Sequence, residues 1–221
     1  MHQYSVDNNK REIVLYWIIA ISVIISTILS FCWGKLSPTI DQLIQKCDLL
    51  VKIRDLLSRF ELIPSIIQIP ILFAFFNWLY NNHLWKCKWL QKWHGIPDLS
   101  GEWSCSLTSS YQNKKIDMTL VIKQTWTTIS CRSAFKESSS YSESASLFTN
   151  DVRGPVLRFS FQNKSENLEC GAQTYEGYNM VIFEDDQLNG FYMNNRPNPD
   201  KTGGNIGNIN LHKETEYEAA H

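Results

Sequence analysis

The 221-residue chain is poor in charge and lacks the residue arrangements that mark common catalytic and metal sites. Charged residues make up 19% of it, and 21 Lys and Arg oppose 22 Asp and Glu, a balance too neutral for a protein that binds duplex nucleic acid. The five histidines show no paired metal-ligand spacing, and the six cysteines include no C-x-x-C pair. We therefore predict no enzymatic activity, no catalytic residue, no metal site and no cofactor.

Charge and tryptophan are distributed unevenly along the chain. Residues 1–94 carry ten Lys and Arg against six Asp and Glu, whereas residues 95–221 carry eleven against sixteen, a net of −5. Six of the eight tryptophans also lie within the first 94 residues. The sequence therefore predicts two domains, a membrane region at 1–94 and a second domain at 95–221.

Two uncharged segments in the first region are long enough to cross a bilayer. Residues 13–33 form an Ile-rich run of 21 residues, and about 20 apolar residues span a hydrocarbon core of about 30 Å. The second run, near 62–84, contains two prolines, which membrane helices tolerate. We predict a transmembrane helical hairpin with spans near 13–33 and 62–84. A buried hairpin of a soluble protein is the alternative.

Small and polar residues in these spans predict helix association. Serines recur every fourth residue in the first span, which lets two helix backbones approach closely. Buried amides in the second span can form hydrogen bonds to a neighbouring helix. We predict that these residues mediate helix contacts and self-association into homo-oligomers: Ser22, Ser26, Ser30, Gln68 and Asn77.

The orientation of the hairpin follows weakly from its basic residues. Five Lys and Arg flank the two ends and five lie in the connecting segment, but the C-terminal group lies closest to its span. This favours both chain ends in the cytoplasm. Trp85, Trp89 and Trp93 repeat every four residues after the second span, between lysines, and predict an anchor at the membrane–water interface.

From residue 95 onward apolar and polar residues alternate, a period of two that marks strands with one buried face. Turn residues separate eight predicted strands: 99–108, 115–124, 127–135, 140–149, 156–162, 173–184, 187–194 and 205–213. Eight antiparallel strands in about 120 residues are typical of an up-and-down, calycin-like β-barrel, which removes exposed sheet edges. A two-sheet sandwich is the alternative. Cys105 and Cys131 share the inward parity and are predicted to be buried thiols.

The candidate site lies on the seventh predicted strand. Tyr192, Asn194 and Arg196 share one face and combine a ring, an amide and a guanidinium, groups that can stack a base, read its edge and pair with a phosphate. The alternative is that Tyr192 fills the interior and Arg196 lies in water. Further ring surface is predicted from Tyr111 and Tyr141. The Gly-rich loop 201–207, with Thr202, can present backbone N–H groups to an anion.

Two N-terminal spans, the segment Pro97-Asp-Leu-Ser-Gly-Glu-Trp103 and the motif Leu188-x-Gly-x-Tyr192 resemble the two-transmembrane β-barrel effectors of CBASS antiphage systems. These are the SMODS-associating two-transmembrane, β-strand-rich effectors. The resemblance implies an activating ligand, a cyclic dinucleotide made by a cognate nucleotidyltransferase. It also implies oligomerisation in the bacterial inner membrane, membrane disruption and death of the infected cell.

The sequence is also compatible with two other functions. The first is a membrane-tethered carrier of a lipid or another small molecule, with an ordinary calycin-like lumen. The second is a structural membrane-assembly protein whose barrel binds another protein.

Overall fold

The computed structural model describes residues 1–44, 52, 65–110, 115–136, 138–165, 174–184, 187–196 and 203–213. The elements, in chain order, are β1 (His2–Val6), α1 (Lys10–Ile44), α2 (Ser65–Asn82), α3 (Lys88–His94), β2 (Gly101–Ser109), β3 (Lys115–Gln124), β4 (Thr128–Ala134), β5 (Ser138–Phe148), β6 (Val156–Ser165), β7 (Tyr175–Glu184), β8 (Gln187–Asn194) and β9 (Asn205–Lys213). A 3-10 turn at Leu84–Lys86 separates α2 from α3.

The chain forms two compact units, one of helices and one of strands. The helical unit is Asn9–Leu84, and the β domain combines Met1–Asn8 with Trp85–His221. These units divide the chain between residues 84 and 85, whereas the predicted domains divide it between 94 and 95. Trp85 is fully buried in the β domain and His94 is 1% exposed. This boundary depends on long-range strand pairing and on core packing. A change in local composition along the sequence does not reveal either of them.

The first helix has the length and composition of a membrane span. Residues Lys10–Phe31 have a mean hydropathy of 2.4 and are the one candidate span among the described residues. Helix α2 is apolar and 18 residues long but is not identified as a span. The structure therefore supports the first predicted span, and the multi-pass topology stays a prediction.

Part of the predicted serine stripe lies between α1 and α2 of one chain. Ser22 is fully buried and Ser26 is 3% exposed, and the Ser26 hydroxyl donates to Gln68 Oε1 at 3.2 Å. The Ser30 hydroxyl donates to the Ser26 carbonyl of its own helix, and Ser30 and Asn77 are exposed. Ser22, Ser26 and Gln68 therefore pack within one hairpin, and this packing leaves them no surface for a second copy.

The strands form a single sheet whose pairings return to their starting point. Each strand from β2 to β9 pairs antiparallel with the next one along the chain, and β9 pairs with β2. Three predicted strands, 115–124, 187–194 and 205–213, have the observed bounds, and the other five differ by up to three residues at either end. The all-β prediction is confirmed for this domain.

A ninth strand, β1, makes the prediction of eight strands incomplete. It is antiparallel to β4 at His2 and Gln3 and parallel to β5 at residues 4–6. β4 and β5 pair directly only over 132–134 and 139–141, near the turn that joins them. β1 therefore fills the gap between the two strands at their other end. This strand has only five residues and lies just before a long apolar helix, so its alternation is too short to predict a strand from the sequence.

The end of the β domain that carries β1 is closed by aromatic and amide side chains. The indole rings of Trp85 and Trp126 lie 6.4 Å apart, and the His94 ring lies 4.8 Å from Trp126. Gln124 accepts from the Leu99 amide at 2.8 Å and donates to the Tyr4 hydroxyl at 3.1 Å. These contacts tie β1 to the segment that enters β2.

The predicted tryptophan anchor is wrong for one of its three members. Trp85 belongs to the core of the β domain, whereas Trp89 is 71% exposed and Trp93 is 40% exposed. The 3-10 turn that precedes α3 breaks the four-residue repeat, so Trp85 does not share the face of the other two rings.

Candidate functional site

A cavity of about 240 Å³ lies at the end of the sheet opposite to β1. Because neighbouring strands are antiparallel, the ends of β2, β4 and β8 meet the starts of β3, β5, β7 and β9 there. The lining residues are Leu107, Ser109, Ile116, Met118, Ser133, Phe135, Lys136, Ser138, Ser140, Phe161, Tyr175, Asn179, Tyr192, Asn194, Arg196 and Asn205.

The lining combines aromatic, amide and cationic groups. Five lining residues are apolar, four are serines, three are asparagines and two are tyrosines. The remaining two, Lys136 and Arg196, are cations, and no described lining residue is acidic. The cavity therefore fits a ligand with stacking surfaces, hydrogen-bonding edges and negative charge.

Tyr192 forms part of the cavity wall. It is 5% exposed, and its hydroxyl donates to Ser109 Oγ at 2.5 Å. Burial raises the pKa of Tyr192, and the hydrogen bond to Ser109 and the charge of Arg196 oppose that rise. A Cβ atom at Gly207 would collide with this ring, so the glycine provides the space that the ring occupies. The Tyr192 hydroxyl already has a partner, and the ring face is the part that can contact a ligand.

Arg196 follows β8 and is held in place by two asparagines. Its backbone N–H donates to Asn194 Oδ1 at 3.1 Å, and its carbonyl accepts from Asn205 Nδ2 at 2.8 Å. Asn205 Nδ2 also lies 3.4 Å from Asn194 Oδ1. These bonds set the backbone direction at the point where the chain leaves the sheet and direct Arg196 to the cavity rim.

The carboxamide oxygen of Asn205 is a buried acceptor. A carbonyl oxygen can only accept a hydrogen bond, so the Asn205 atom that faces the Arg196 carbonyl must be the amide nitrogen. The Asn205 oxygen therefore points the other way. Asn205 is 1% exposed, and its Oδ1 has no hydrogen-bond partner among the residues that the structure describes. The Oδ1 atom of Asn163, on β6, is also buried and without a hydrogen-bond partner among the described residues, while the Asn163 side-chain nitrogen donates to Ser140 Oγ at 2.8 Å.

Tyr175, at the start of β7, is the aromatic neighbour of Arg196. The guanidinium carbon of Arg196 lies 5.7 Å from the centre of the Tyr175 ring. A guanidinium over a ring face within about 6 Å is attracted by the ring quadrupole. Burial raises the pKa of Tyr175, and the positive charge of Arg196 opposes the rise. The ring restricts the guanidinium to the rim of the cavity.

Three of the predicted site residues meet in this cavity, and Tyr141 does not. Tyr192, Asn194 and Arg196 all line it. Tyr141 is 44% exposed and lies on the outer face, with the guanidinium carbon of Arg132 5.6 Å from its ring centre. Its neighbour Ser140 faces the cavity, so the alternation of β5 directs Tyr141 outward. Tyr111 and Thr202 lie outside the described residues.

Sequence reasoning missed several lining residues. Lys136 lies in the turn between β4 and β5, Tyr175 begins β7 and Asn205 begins β9. Lys136 lies in a turn, where alternation gives no inward direction. Tyr175 shares the parity of the buried Val181, and Asn205 shares that of the buried Ile209, so alternation carried a signal for these two residues. Ser133 shares the parity of the buried Ile129 and Cys131, so the alternation of β4 contained the signal for this small cavity-facing side chain. Ser140 has the opposite parity to the buried Ala145 and Leu147, because the register of β5 shifts between Ser142 and Ser144.

The buried thiols match their prediction. Cys105 and Cys131 are free and buried, and burial raises the pKa of each to about 12. Both are therefore protonated at neutral pH. Within the described part of the chain, no group of three His, Cys, Asp or Glu residues is placed to hold a metal ion.

The fold and the cavity define a class of protein, an all-β domain with a ligand-sized cavity on a chain whose first helix has the length and composition of a membrane span. The sequence profile of the family described as Cap15, cyclic dinucleotide receptor domain, matches residues 94–213, which is more than half of the chain. The chain belongs to this family and is a CBASS effector with a cyclic-dinucleotide-sensing domain. No match to a curated protein was found.

Proposed function

We propose that the cavity at the open end of the β domain is the receptor site for the activating cyclic dinucleotide. The observation that carries the proposal is the lining itself, with two cations, no described acidic residue and aromatic rings at one rim. A cyclic dinucleotide offers two phosphates and two flat bases, which these groups complement. The protein acts by binding alone, without catalysis and without a further cofactor, and its ligand comes from a cognate nucleotidyltransferase.

Electrostatics restricts how the ligand binds. Residues 95–221 carry a net charge of −5, which repels a dianion at long range. Attraction must therefore come from the short-range field of Lys136 and Arg196 at the cavity. This disfavours extended nucleic acids, which need a broad basic surface, and favours a compact ligand that enters the cavity.

A ligand that activates the protein must favour one state over another. We propose that the ligand-bound state self-associates, because a ligand shifts an equilibrium only by its differential affinity for the two states. About 2–3 kcal/mol of differential binding would shift the assembly equilibrium by roughly 30- to 150-fold. Strand β1 provides a covalent route for coupling, since it pairs with β4 and β5 and only three residues separate it from α1.

The helical unit is proposed to assemble in the bacterial inner membrane through its exposed apolar surface. Ser22, Ser26 and Gln68 are used within one hairpin, whereas Ser30, Asn77 and large apolar side chains such as Trp17 are exposed. We propose that assembly of these hairpins disrupts the membrane and kills the infected cell. The β domain lies on the cytoplasmic side, where a nucleotide made in the cell can reach it.

Calorimetry on the full-length protein in lipid nanodiscs tests the ligand. The probes are cyclic di-AMP, cyclic di-GMP, cyclic GMP–AMP and cyclic UMP–AMP. We expect micromolar or tighter binding of at least one probe, and no heat with any of them would refute the proposal. An apolar molecule that co-purifies and occupies the cavity would instead support the small-molecule carrier.

Dye release tests the consequence of binding. The protein is reconstituted into vesicles loaded with a self-quenching dye, and the tightest-binding probe is added from the side of the β domain. We expect ligand-dependent release together with larger species in chemical cross-linking. Ligand binding without either change would contradict assembly and membrane disruption while leaving the receptor function intact.

A further inference from the structure

We propose that Lys136 and Arg196 form a two-point clamp in which each cation pairs with a different phosphate of the cyclic dinucleotide. This inference rests on the proposed function and specifies how the ligand is oriented. Lys136 lies in the turn between β4 and β5, and Arg196 lies in the segment between β8 and β9. Both line the same cavity.

The closed strand order places the two cations on opposite sides of the opening. Going around the pairings in one direction, β4 is followed by β3, β2, β9 and β8. In the other direction, β5 is followed by β6, β7 and β8. The β4–β5 turn is therefore separated from the β8–β9 segment by equal numbers of strands on the two sides. No other arrangement of two hairpins among these eight strands gives a larger separation.

The ligand class has a matching arrangement of charge. A cyclic dinucleotide is a macrocycle whose two phosphodiesters lie across the ring from each other, and each carries one negative charge. A single cation can pair closely with only one of them. Since Lys136 and Arg196 are the cations among the described lining residues, a ligand that spans the opening brings one phosphate to each.

The size of the cavity also favours contacts at the rim. At about 240 Å³ it is smaller than the roughly 300–1,000 Å³ of pockets that enclose drug-sized ligands. A cyclic dinucleotide cannot be wholly enclosed, so part of its sugar–phosphate ring must remain at the level of the strand turns. Lys136 and Arg196 are located at that level.

The two halves of the clamp differ in rigidity. Arg196 is restrained by Asn194, Asn205 and the Tyr175 ring, whereas Lys136 is an exposed side chain in a short turn. A guanidinium presents a planar fork to phosphate, and an ammonium acts as a point charge. Arg196→Lys should therefore weaken binding more than Lys136→Arg does.

Calorimetric titrations of five variants test the clamp, with the tightest-binding probe of the cyclic dinucleotide panel. Lys136→Gln and Arg196→Gln are each expected to weaken binding about tenfold or more, and the double variant by about the product of the two effects. Lys123→Gln and Arg132→Gln, which remove exposed charges from β3 and β4, are matched controls with expected changes under twofold. With a dinucleoside monophosphate, which has one phosphodiester, the affinity losses of the two single variants should not multiply in the double variant.

Each outcome decides between the clamp and its alternatives. Wild-type affinity in both single variants would overturn the clamp while leaving the receptor function standing. Loss in only one variant, or losses that do not multiply with the cyclic probe, would also overturn it, because one phosphate would then carry the interaction. Thermal unfolding of each variant shows whether it is folded, and Arg196→Lys replaces Arg196→Gln if that variant is not. Absence of binding by the wild-type protein would refute the receptor function itself.

Discussion

The side-chain amide nitrogen of Asn205 donates a hydrogen bond to the backbone carbonyl of Arg196 at 2.8 Å. The two residues are nine positions apart, with Arg196 in the segment that follows β8 and Asn205 at the start of β9. One buried amide thus fixes the backbone of the residue that brings the guanidinium to the cavity, and it retains a buried oxygen without a described partner. Asn205 therefore acts on ligand binding through Arg196.

Asn205→Ala is expected to reduce both stability and affinity. Leaving a buried carbonyl without its donor costs about 1–3 kcal/mol, and the Arg196 backbone loses its restraint. Calorimetry with the tightest-binding cyclic dinucleotide and thermal unfolding measure the two effects. Asn208→Ala, at an exposed position of the same strand, is the control. Unchanged affinity in a folded Asn205→Ala protein would show that Asn205 does not position Arg196.

Tyr192 and Tyr141 are expected to behave differently. Tyr192→Phe loses the hydrogen bond to Ser109, at a cost of about 0.5–1.5 kcal/mol in stability, but keeps the ring and most of the affinity. Tyr192→Ala removes the ring and should weaken ligand binding at least tenfold. Tyr141→Ala changes the outer face and should bind like wild type. The reverse order of affinities for the two alanine variants would contradict the position of the cavity.

The stability of the β domain is expected to fall as the pH drops below about 6.5. Burial lowers the pKa of His94, and the bond to the Trp85 carbonyl opposes this shift. His94 Nε2 donates to that carbonyl at 3.0 Å while Nδ1 accepts from the Ile96 N–H, so the folded state holds the neutral ring. The unfolded state binds the proton first, with a pKa of about 6.5, and stability is lost as the pH falls through that value.

Thermal unfolding of the full-length protein between pH 5 and pH 8 measures this dependence. His94→Gln should lower the melting temperature at pH 8 and flatten its fall toward pH 5. His83→Gln, at an exposed position of the helical unit, should leave the profile unchanged. An identical pH profile in wild type and His94→Gln would mean that another group causes the loss.

Strand β1 is expected to be required for the stability of the β domain. Tyr4 is 3% exposed and its hydroxyl accepts from Gln124, so Tyr4→Ala should cost about 3–5 kcal/mol, as for other large buried aromatic residues. Ser5→Ala, on the exposed face of the same strand, should cost less than about 0.5 kcal/mol. Chemical denaturation in detergent measures both. Equal stability of the two variants would show that β1 is not part of the folded core.

The outcome at individual residues shows where sequence reasoning succeeds. Strand alternation is a local property of the backbone and predicts that Tyr192 and Asn194 share one face, and the structure places both at the cavity. Tyr141 has the same parity as the buried Ala145 and Leu147, but the register of β5 shifts between Ser142 and Ser144, so Tyr141 lies on the outer face. Trp85 failed because the repeat that includes it crosses a break between two helical elements.

The amino-acid sequence by itself determined the apolar N-terminal helix, the antiparallel strands and the face that carries Tyr192 and Asn194, since each follows from hydrophobic periodicity over neighbouring residues. Only the tertiary structure decided that the N-terminal strand enters the sheet and that Ser26 binds Gln68 within one hairpin. The tertiary structure alone also decided that one cavity is lined by Lys136, Tyr175, Asn205 and Arg196. These contacts join positions 9 to about 140 residues apart, and such closure depends on strand pairing and packing that no local pattern encodes.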